Sequence, residues 1–464
     1  MSPASGGRYT AGPDVRPQPT DKWWRGAAAL AVVAFLVSFA VRAYFVTQVT
    51  VRSPTGGDAG QYVAYALNLY RHATFAMTAE GLPLVPDAWR SPGYPAFLAA
   101  LFAAFGLDQA YMPILVAQAL LGALTVAFAA LLAQRVAGRP AAIAVAVPGA
   151  FWPHLVASSA YLLSEVLYGA LVVVPLWWLS TLDAVRASRR SAGAGLLAGL
   201  AWLTNPVSAV IWVLAAIVLA IRGRRRCALV FLLTFLMAPI GWSVRDAVSV
   251  HSDGPGSSDR AWMNFVQGSH PEYHVVHWSR LANAMTPAGV EAWNEIDAEI
   301  AVGTQSRRAG LARVTSRLMQ TPGESLRWYL LEKPATLWGW DIRVGQGGFY
   351  VFPTYNSPYE RNAFFRVVAS ICFGLNALIG LAALAGVVLV VVRAARRQTR
   401  ENVTLGEALV AATLIAATAV HMVLQAEPRY AVPYRMVEFI AAAIATRAVV
   451  QWFIAHRRNR EGML

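Results

Sequence analysis

The stretch GAAALAVVAFLVSFAVRAYFV, residues 26–46, carries one charge, Arg42, in an otherwise apolar run. About 20 such residues in a helix cross a hydrocarbon core of ~30 Å. The run follows Lys22 and Arg25. A cleaved signal peptide would have a shorter apolar run ending in a small-x-small site. The stretch therefore reads as an uncleaved membrane anchor with its N-terminus in the cytoplasm. Residues 1–21, rich in Pro, Gly, Ser and Thr, read as a disordered cytoplasmic tail.

The same pattern recurs outward from this run. Apolar blocks lie near 113–134, 140–157, 161–181, 192–204, 206–221, 227–245, 366–392, 405–424 and 432–454. Of the 464 residues, 57% are hydrophobic and 14% charged, against about 25% charged in a soluble chain. Mean hydropathy is +0.45. These values exclude a soluble enzyme, a secreted disulfide scaffold and a disordered chain. Cys227 and Cys372 both fall at or inside predicted spans, so no disulfide framework is implied.

The net charge of +14 would point to nucleic acid in a soluble protein. Here it belongs to membrane topology, and no nucleic-acid partner is expected. Arg135 and Arg139, then Arg186, Arg189 and Arg190, then Arg222 with Arg224 to Arg226, then Arg393, Arg396, Arg397 and Arg400, and finally Arg457, Arg458 and Arg460 occupy short segments between or after the apolar blocks. With about ten transmembrane helices all five clusters fall on the cytoplasmic side. The Asn205-Pro206 step separates two short spans that this count requires. The expected architecture is an all-α polytopic membrane protein of a bacterial inner membrane, with both termini cytoplasmic.

Five regions follow: the tail at 1–21, a transmembrane module at 22–245 that includes a first outer loop at 47–112, an extracytoplasmic segment at 246–365, C-terminal transmembrane helices at 366–454, and a basic tail at 455–464. Loops this long are usually functional or separately structured. Chemistry is expected on their side of the membrane.

In the first outer loop, Tyr62, Tyr65, Ala66 and Leu69 repeat at helical spacing behind Asp58. They predict an amphipathic surface helix with Asp58 as its N-cap. The turn Trp89-Arg90-Ser91-Pro92-Gly93-Tyr94-Pro95 leads into an apolar run, Ala96–Phe105, too short to span and expected to lie at the interface.

Asp58-x3-Tyr62, Ala66-Leu67-Asn68-Leu69 and Arg90-Ser91-Pro92-Gly93-Tyr94-Pro95 together resemble the first outer loop of polyprenyl-phosphate-sugar-dependent glycosyltransferases of the type C fold. That group includes protein O-mannosyltransferases, the lipid A aminoarabinose transferase and bacterial relatives of glycosyltransferase family 39. Leu163-Ser164-Glu165 is similar to the group's Ser/Thr-Glu, and Pro239 to Arg245 to its Pro-x-x-Trp-x-x-Arg. Glu427 to Pro433 is similar to its Arg-Tyr-x-x-Pro. The motifs keep the family order from about residue 26 to 450. Asn205 stands where the family often has Arg, and Asp246 where it often has Asn.

The resemblance implies transfer of a sugar from a polyprenyl-phosphate donor to an extracytoplasmic glycolipid, polysaccharide or protein. Such chemistry needs a carboxylate near the acceptor hydroxyl and cations on the departing phosphate. Asp58 is expected as base or acceptor-orienting group, with Glu165 as an auxiliary carboxylate. The alternatives for these are a helix cap and a solvated loop carboxylate. Tyr62, Arg90, Tyr94, Arg245, Arg429 and Tyr430 are expected to bind substrate. Arg245 and Arg429 serve as the phosphate clamp, or else as interfacial anchors. Arg42 reads as a snorkelling residue or a partner for Asp58.

No cofactor is required by the sequence, although a divalent cation would suit an outer carboxylate beside a phosphate. His270, His274 and His277 with Glu272 have metal-like spacing, but Pro271 breaks the helix that would align the first pair. A transporter or lipid-linked sugar flippase is the alternative from another class. It predicts symmetric repeats with interrupted helices, whereas the short spans here are confined to the first half.

Overall fold

A computed structural model describes residues 21–79, 81–182, 186–250, 256–343, 346–396 and 399–461. The expected tail at 1–21 lies outside these apart from Asp21, as do residues 462–464. The chain is an all-α polytopic membrane protein. Among the described residues six helices are long and apolar enough to cross a membrane: Gly26–Gln48, Tyr111–Ala137, Arg225–Ser249, Ala363–Ala395, Leu405–Val423 and Pro428–Arg458. A seventh candidate is the pair Arg139–Phe151 and Pro153–Ala160, bent by 55°. Pro153 causes the break, because it has no N–H for the carbonyl of Gly149 and its ring blocks helical continuation.

The remaining predicted spans are shorter helices: Glu165–Ser180, Ala187–Thr204 and Ser208–Ile221. The last two meet at Asn205-Pro206, where Asn205 Oδ1 accepts the N–H of Val207 at 3.2 Å. At 14 to 18 residues and 1.5 Å per residue, these rods reach about 21–27 Å. The first is largely buried; the other two pack one face inward, with Ala194, Ala198, Trp212 and Leu219 each 0% exposed, and leave Leu196, Val213 and Ile221 exposed on the other.

The arginine-bearing connections meet at one end of the bundle. Arg135 Nε donates to the carbonyl of Ser180 at 2.6 Å and Arg190 donates to that of Thr181. Arg222 Nη2 reaches the carbonyl of Val403 at 2.5 Å. The first two cap carbonyls at the C-terminus of the helix Glu165–Ser180, where positive charge is favoured.

The two long loops meet at the other end. Thr50–Val51 pairs antiparallel with Thr354–Tyr355, in the register Thr50 to Tyr355 and Val51 to Thr354. In the first loop the helices Gly57–His72 and Gly93–Phe105 pack through Tyr62, Ala66, Tyr94, Leu98 and Phe102, all in one buried cluster. The second is helical from Ser257 to Leu337 with short breaks. Pro287 and Pro322 each stand in the first turn of a helix, where a missing N–H costs nothing. A π turn, Trp328–Glu332, joins the last two helices.

Candidate active site

The helix carrying Asp58 begins two residues earlier than an Asp58 cap implies. Gly57 is its first residue and Gly56 its N-cap, with no side-chain cap. Asp58 is therefore not the cap, which corrects the sequence reading. Its carboxylate projects from the first turn, where negative charge is favoured by the helix dipole, and is taken by arginines from two distant segments. Arg90 Nη2 lies 2.5 Å from Asp58 Oδ1, and Arg429 Nη1 lies 3.1 Å from Oδ2.

Each arginine is placed by its motif. Arg90 precedes the turn Ser91-Pro92-Gly93, and Gly93 packs directly on Thr204 at the end of the helix Ala187–Thr204. A Cβ on Gly93 would lie 2.5 Å from Thr204 Oγ1 and 2.7 Å from its backbone nitrogen, so no side chain fits. Arg90 is 6% exposed. Its Nε donates to Gln61 Oε1 at 2.5 Å, and its guanidinium lies 5.2 Å from the centre of the Tyr62 ring. Arg429 sits in the single turn Pro428–Ala431, which Pro433 tightens into a 3-10 turn before the last helix. Its Nε donates to Glu165 Oε1 at 2.5 Å. One guanidinium thus bridges both expected carboxylates.

Glu165 opens the helix Glu165–Ser180 and is buried, which removes the solvated-loop reading. Beneath the pair, Tyr94 is fully buried. It meets the Tyr62 ring edge-on at 5.2 Å and donates its hydroxyl to Gln118 Oε1 at 2.8 Å. Tyr94 supports Tyr62 from below. Tyr430 stacks on His421 at 5.4 Å and donates to Gln425 Oε1 at 2.9 Å.

Arg245 goes elsewhere. Its Nη1 donates to the carbonyl of Asp87 and to Asp246 Oδ1, and its Nη2 to the carbonyl of Phe75, each at 2.8 Å. The guanidinium also covers Trp242 and Phe75 at 4.8 and 5.3 Å. It fastens the first loop to the end of the helix Arg225–Ser249. Asp87 organises the same loop, accepting from the Tyr65 hydroxyl, from Trp89 N at 3.0 Å and from Met77 N at 2.9 Å. Arg42 does not reach Asp58 either. It is 1% exposed and donates to carbonyls of the broken helix pair.

One cation was not signalled by any motif. Arg260, in the helix Ser257–Gly268, acts electrostatically on both Asp58 and Arg90. Among the described residues its guanidinium makes no hydrogen bond or ion pair. Burial and the Arg90 charge push its pKa down. For Asp58, burial pushes the pKa up, but Arg429, Arg90 and Arg260 outweigh it and hold the carboxyl well below the usual carboxylate range. Counted as formal charges, Arg90, Arg260 and Arg429 exceed Asp58 and Glu165 by one. The site gathers an excess of cationic groups around an ionised carboxylate.

A divalent cation does not fit this arrangement. The Arg429 guanidinium bridges the two carboxylates, and among the described residues no three of His, Cys, Asp and Glu converge to hold an ion. The histidines are separately engaged. His270 lies between Glu272 and Glu299 at 2.9 and 3.0 Å, and His274 Nε2 meets the carbonyl of Ala426 at 3.1 Å. His277 packs between Tyr273 and Trp293.

No protein-family model matches the chain, and no curated protein does. Solved structures do. The chain is similar to the apo oligosaccharyltransferase of Archaeoglobus fulgidus at 15% identity and a TM-score of 0.49, covering 96% of this chain and 52% of that one. It is also similar to AglB of the same organism in complex with an inhibitory peptide and a dolichol-phosphate, at 15% identity and a TM-score of 0.47, with 95% and 52% covered. A third likeness is to ArnT from Cupriavidus metallidurans bound to undecaprenyl phosphate, at 16% identity and a TM-score of 0.38, covering 92% and 78%. The chain spans about half the length of the two oligosaccharyltransferase chains.

Proposed function

We propose that this protein is a membrane glycosyltransferase that moves a sugar from a polyprenyl-phosphate carrier to an acceptor on the side of the membrane bearing the two long loops. The observation that carries the reading is the position of Asp58 between Arg90 and Arg429, with Arg260 acting on it electrostatically and making no hydrogen bond or ion pair among the described residues. A departing phosphate needs preorganised cations, and an incoming hydroxyl needs a carboxylate in the same space.

In the reaction, the acceptor oxygen forms a bond to the anomeric carbon from the face opposite the phosphate. The bond from that carbon to the phosphate oxygen breaks, and its electron pair leaves with the lipid phosphate. The configuration is inverted. The acceptor proton passes to Asp58 or, through it, to water. With both oxygens held by arginines, Asp58 is a weak base in the resting site and acts first by orienting the hydroxyl. Donor phosphate competes for Arg90 and Arg429 and so releases the carboxylate as the reaction is assembled. Glu165 holds Arg429 from behind, while Tyr62 and Tyr430 flank the cations. The arginine clusters gathered at the opposite end of the bundle support cytoplasmic termini and an extracytoplasmic site in a bacterial inner membrane.

The test is transfer by purified protein in liposomes, from a panel of radiolabelled polyprenyl-phosphate sugars to an envelope extract. Wild type is compared with Asp58→Asn. Release of polyprenyl phosphate by wild type, with a loss of about 10²–10⁴ in the equally abundant variant, supports the reading. Equal activity in both removes Asp58 from the chemistry. Lipid flux across the liposome without sugar transfer replaces the enzyme with a flippase.

A further inference from the structure

Arg42 and Glu165 are two charged side chains buried among the helices, 1% and 8% exposed. Arg42 has both terminal nitrogens committed. Nη1 donates to Ser38 and to the carbonyl of Ala150 at 3.4 Å, and Nη2 donates to the carbonyl of Gly149 at 3.0 Å. Its Nε is left with no hydrogen-bond partner. Glu165 gives Oε1 to Arg429, and its Oε2 is likewise without a partner. A buried donor or acceptor left unpaired costs about 1–3 kcal/mol, and more when charged.

Both residues line one cavity of about 20 Å³, together with Gly122, Gly169, Pro433 and Met436. A cavity needs about 10–15 Å³ to admit a water, and the water needs polar partners. This one has room for a single molecule and offers it a donor and an acceptor that nothing else satisfies.

We infer that an ordered water in this cavity accepts from Arg42 Nε and donates to Glu165 Oε2, making Arg42 a positioning residue for the active site. The inference rests on the transferase reading above for its consequence, and on the cavity alone for its geometry. The water fixes the second oxygen of Glu165, and Glu165 fixes the guanidinium that holds Asp58. The chain of contacts runs from Arg42, six residues before the end of the first span at Gln48, to the reacting groups. A misplacement of about 1 Å at such a distance from the chemistry is enough to cost about 10²-fold in rate.

Replacing Arg42 also strips two carbonyls of their donor, so that variant can simply fail to fold. Gly169 gives a cleaner probe. A Cβ there would meet nothing closer than Pro433 at 3.5 Å, an ordinary contact. Gly169→Ala keeps every charge and narrows the cavity with a methyl group on its wall. Gly169→Ser adds a hydroxyl to the same wall, a polar group that can hydrogen-bond with the water or with the groups around it.

The experiment is a nanodisc structure of the full chain at water-resolving resolution, with melting temperature and kinetics for the two variants. The expected result is one water bridging the two atoms. In Gly169→Ala, kcat falls about tenfold or more, with the donor KM changed less, and the melting temperature drops. Gly169→Ser recovers most of both. A loss caused by volume alone would leave Ser no better than Ala, and that outcome overturns the proposal, as does a dry cavity. If wild type transfers no sugar from any donor, the transferase reading fails. The water and the Ser-over-Ala recovery of melting temperature still decide the bridge.

Discussion

Arg90 Nη2 lies 2.5 Å from Asp58 Oδ1, joining two halves of the first loop that are 32 residues apart in the chain. Together with Arg429, the larger influence, and Arg260, the pair keeps the carboxyl ionised despite its burial. Asp58 holds its charge at any pH above its depressed value and loses it only as pH falls through that value. Transfer should therefore show no acid limb from Asp58 between pH 5 and 8. In Arg90→Gln the upward push of burial is less opposed, so an acid limb should rise toward that range as overall activity falls. A pH–rate profile of the variant with an unmoved acid limb would break the link between these two residues.

Arg260 should act on the donor more than on the acceptor. Charge-assisted hydrogen bonds contribute about 1.5–3 kcal/mol, so Arg260→Ala should raise the donor KM about 10–100-fold. The acceptor KM should stay within about a factor of two to three, and the donor effect should be larger at low ionic strength. Steady-state kinetics in each substrate checks this. A defect confined to the acceptor would assign Arg260 to the other half of the site.

Arg245 is predicted to be structural. Arg245→Ala leaves the carbonyls of Phe75 and Asp87 without their donor, at a cost of about 1–3 kcal/mol for each buried group left unpaired. The segment around 75–87 should become sensitive to limited proteolysis, and the melting temperature should fall. An intact cleavage pattern with a selective rise in donor KM would instead return Arg245 to the phosphate, as its motif implies.

How much of this was legible in the sequence depended on punctuation. Arg90, Glu165 and Arg429 stand beside prolines, glycines or helix starts, and the structure brings these three together around Asp58. Such residues announce themselves because a rigid turn fixes where a neighbouring side chain can go. Arg260 sits in Ser258-Asp259-Arg260 with no turn or motif to mark it. Its relation to Asp58 exists only after the second loop folds over the first. Asp87 and Gln61 were missed for the same reason. Arg42 was read from its depth in the span, which says nothing of partners 107 and 108 residues away. The bend at Pro153 hid inside one apolar block, since hydropathy does not register a change of axis.

In the second long loop, His270 lies between Glu272 and Glu299, and Arg317 donates to Glu299 from the other side. Burial lowers the His270 pKa, but the two carboxylates win and raise it above 6.5. A raised value means that the contribution is fully present below pH 6.5 and fades as pH climbs through the folded value. Glu299 is pushed the other way, to about 2, because the hydrogen bonds from His270 and Arg317 outweigh its burial. The melting-temperature gap between wild type and His270→Gln should be larger at pH 6 than at pH 9. A gap that is constant or widens with pH would show that the imidazole contributes by shape rather than charge.

The broken pair of helices also bears on biogenesis. Pro153 leaves the carbonyl of Gly149 without its helical donor, and in hydrocarbon each such group costs several kcal/mol. The donor it finds is Arg42, on a helix synthesised about a hundred residues earlier. Neither partner is comfortable in lipid alone, since the arginine is a charge without a counterpart and the helix pair has an exposed break. Order of synthesis resolves both, because the first span is already waiting when the second element leaves the translocon. Early membrane assembly of this chain is thus a pairing reaction, and its intermediate should be most vulnerable to quality-control proteases between those two moments.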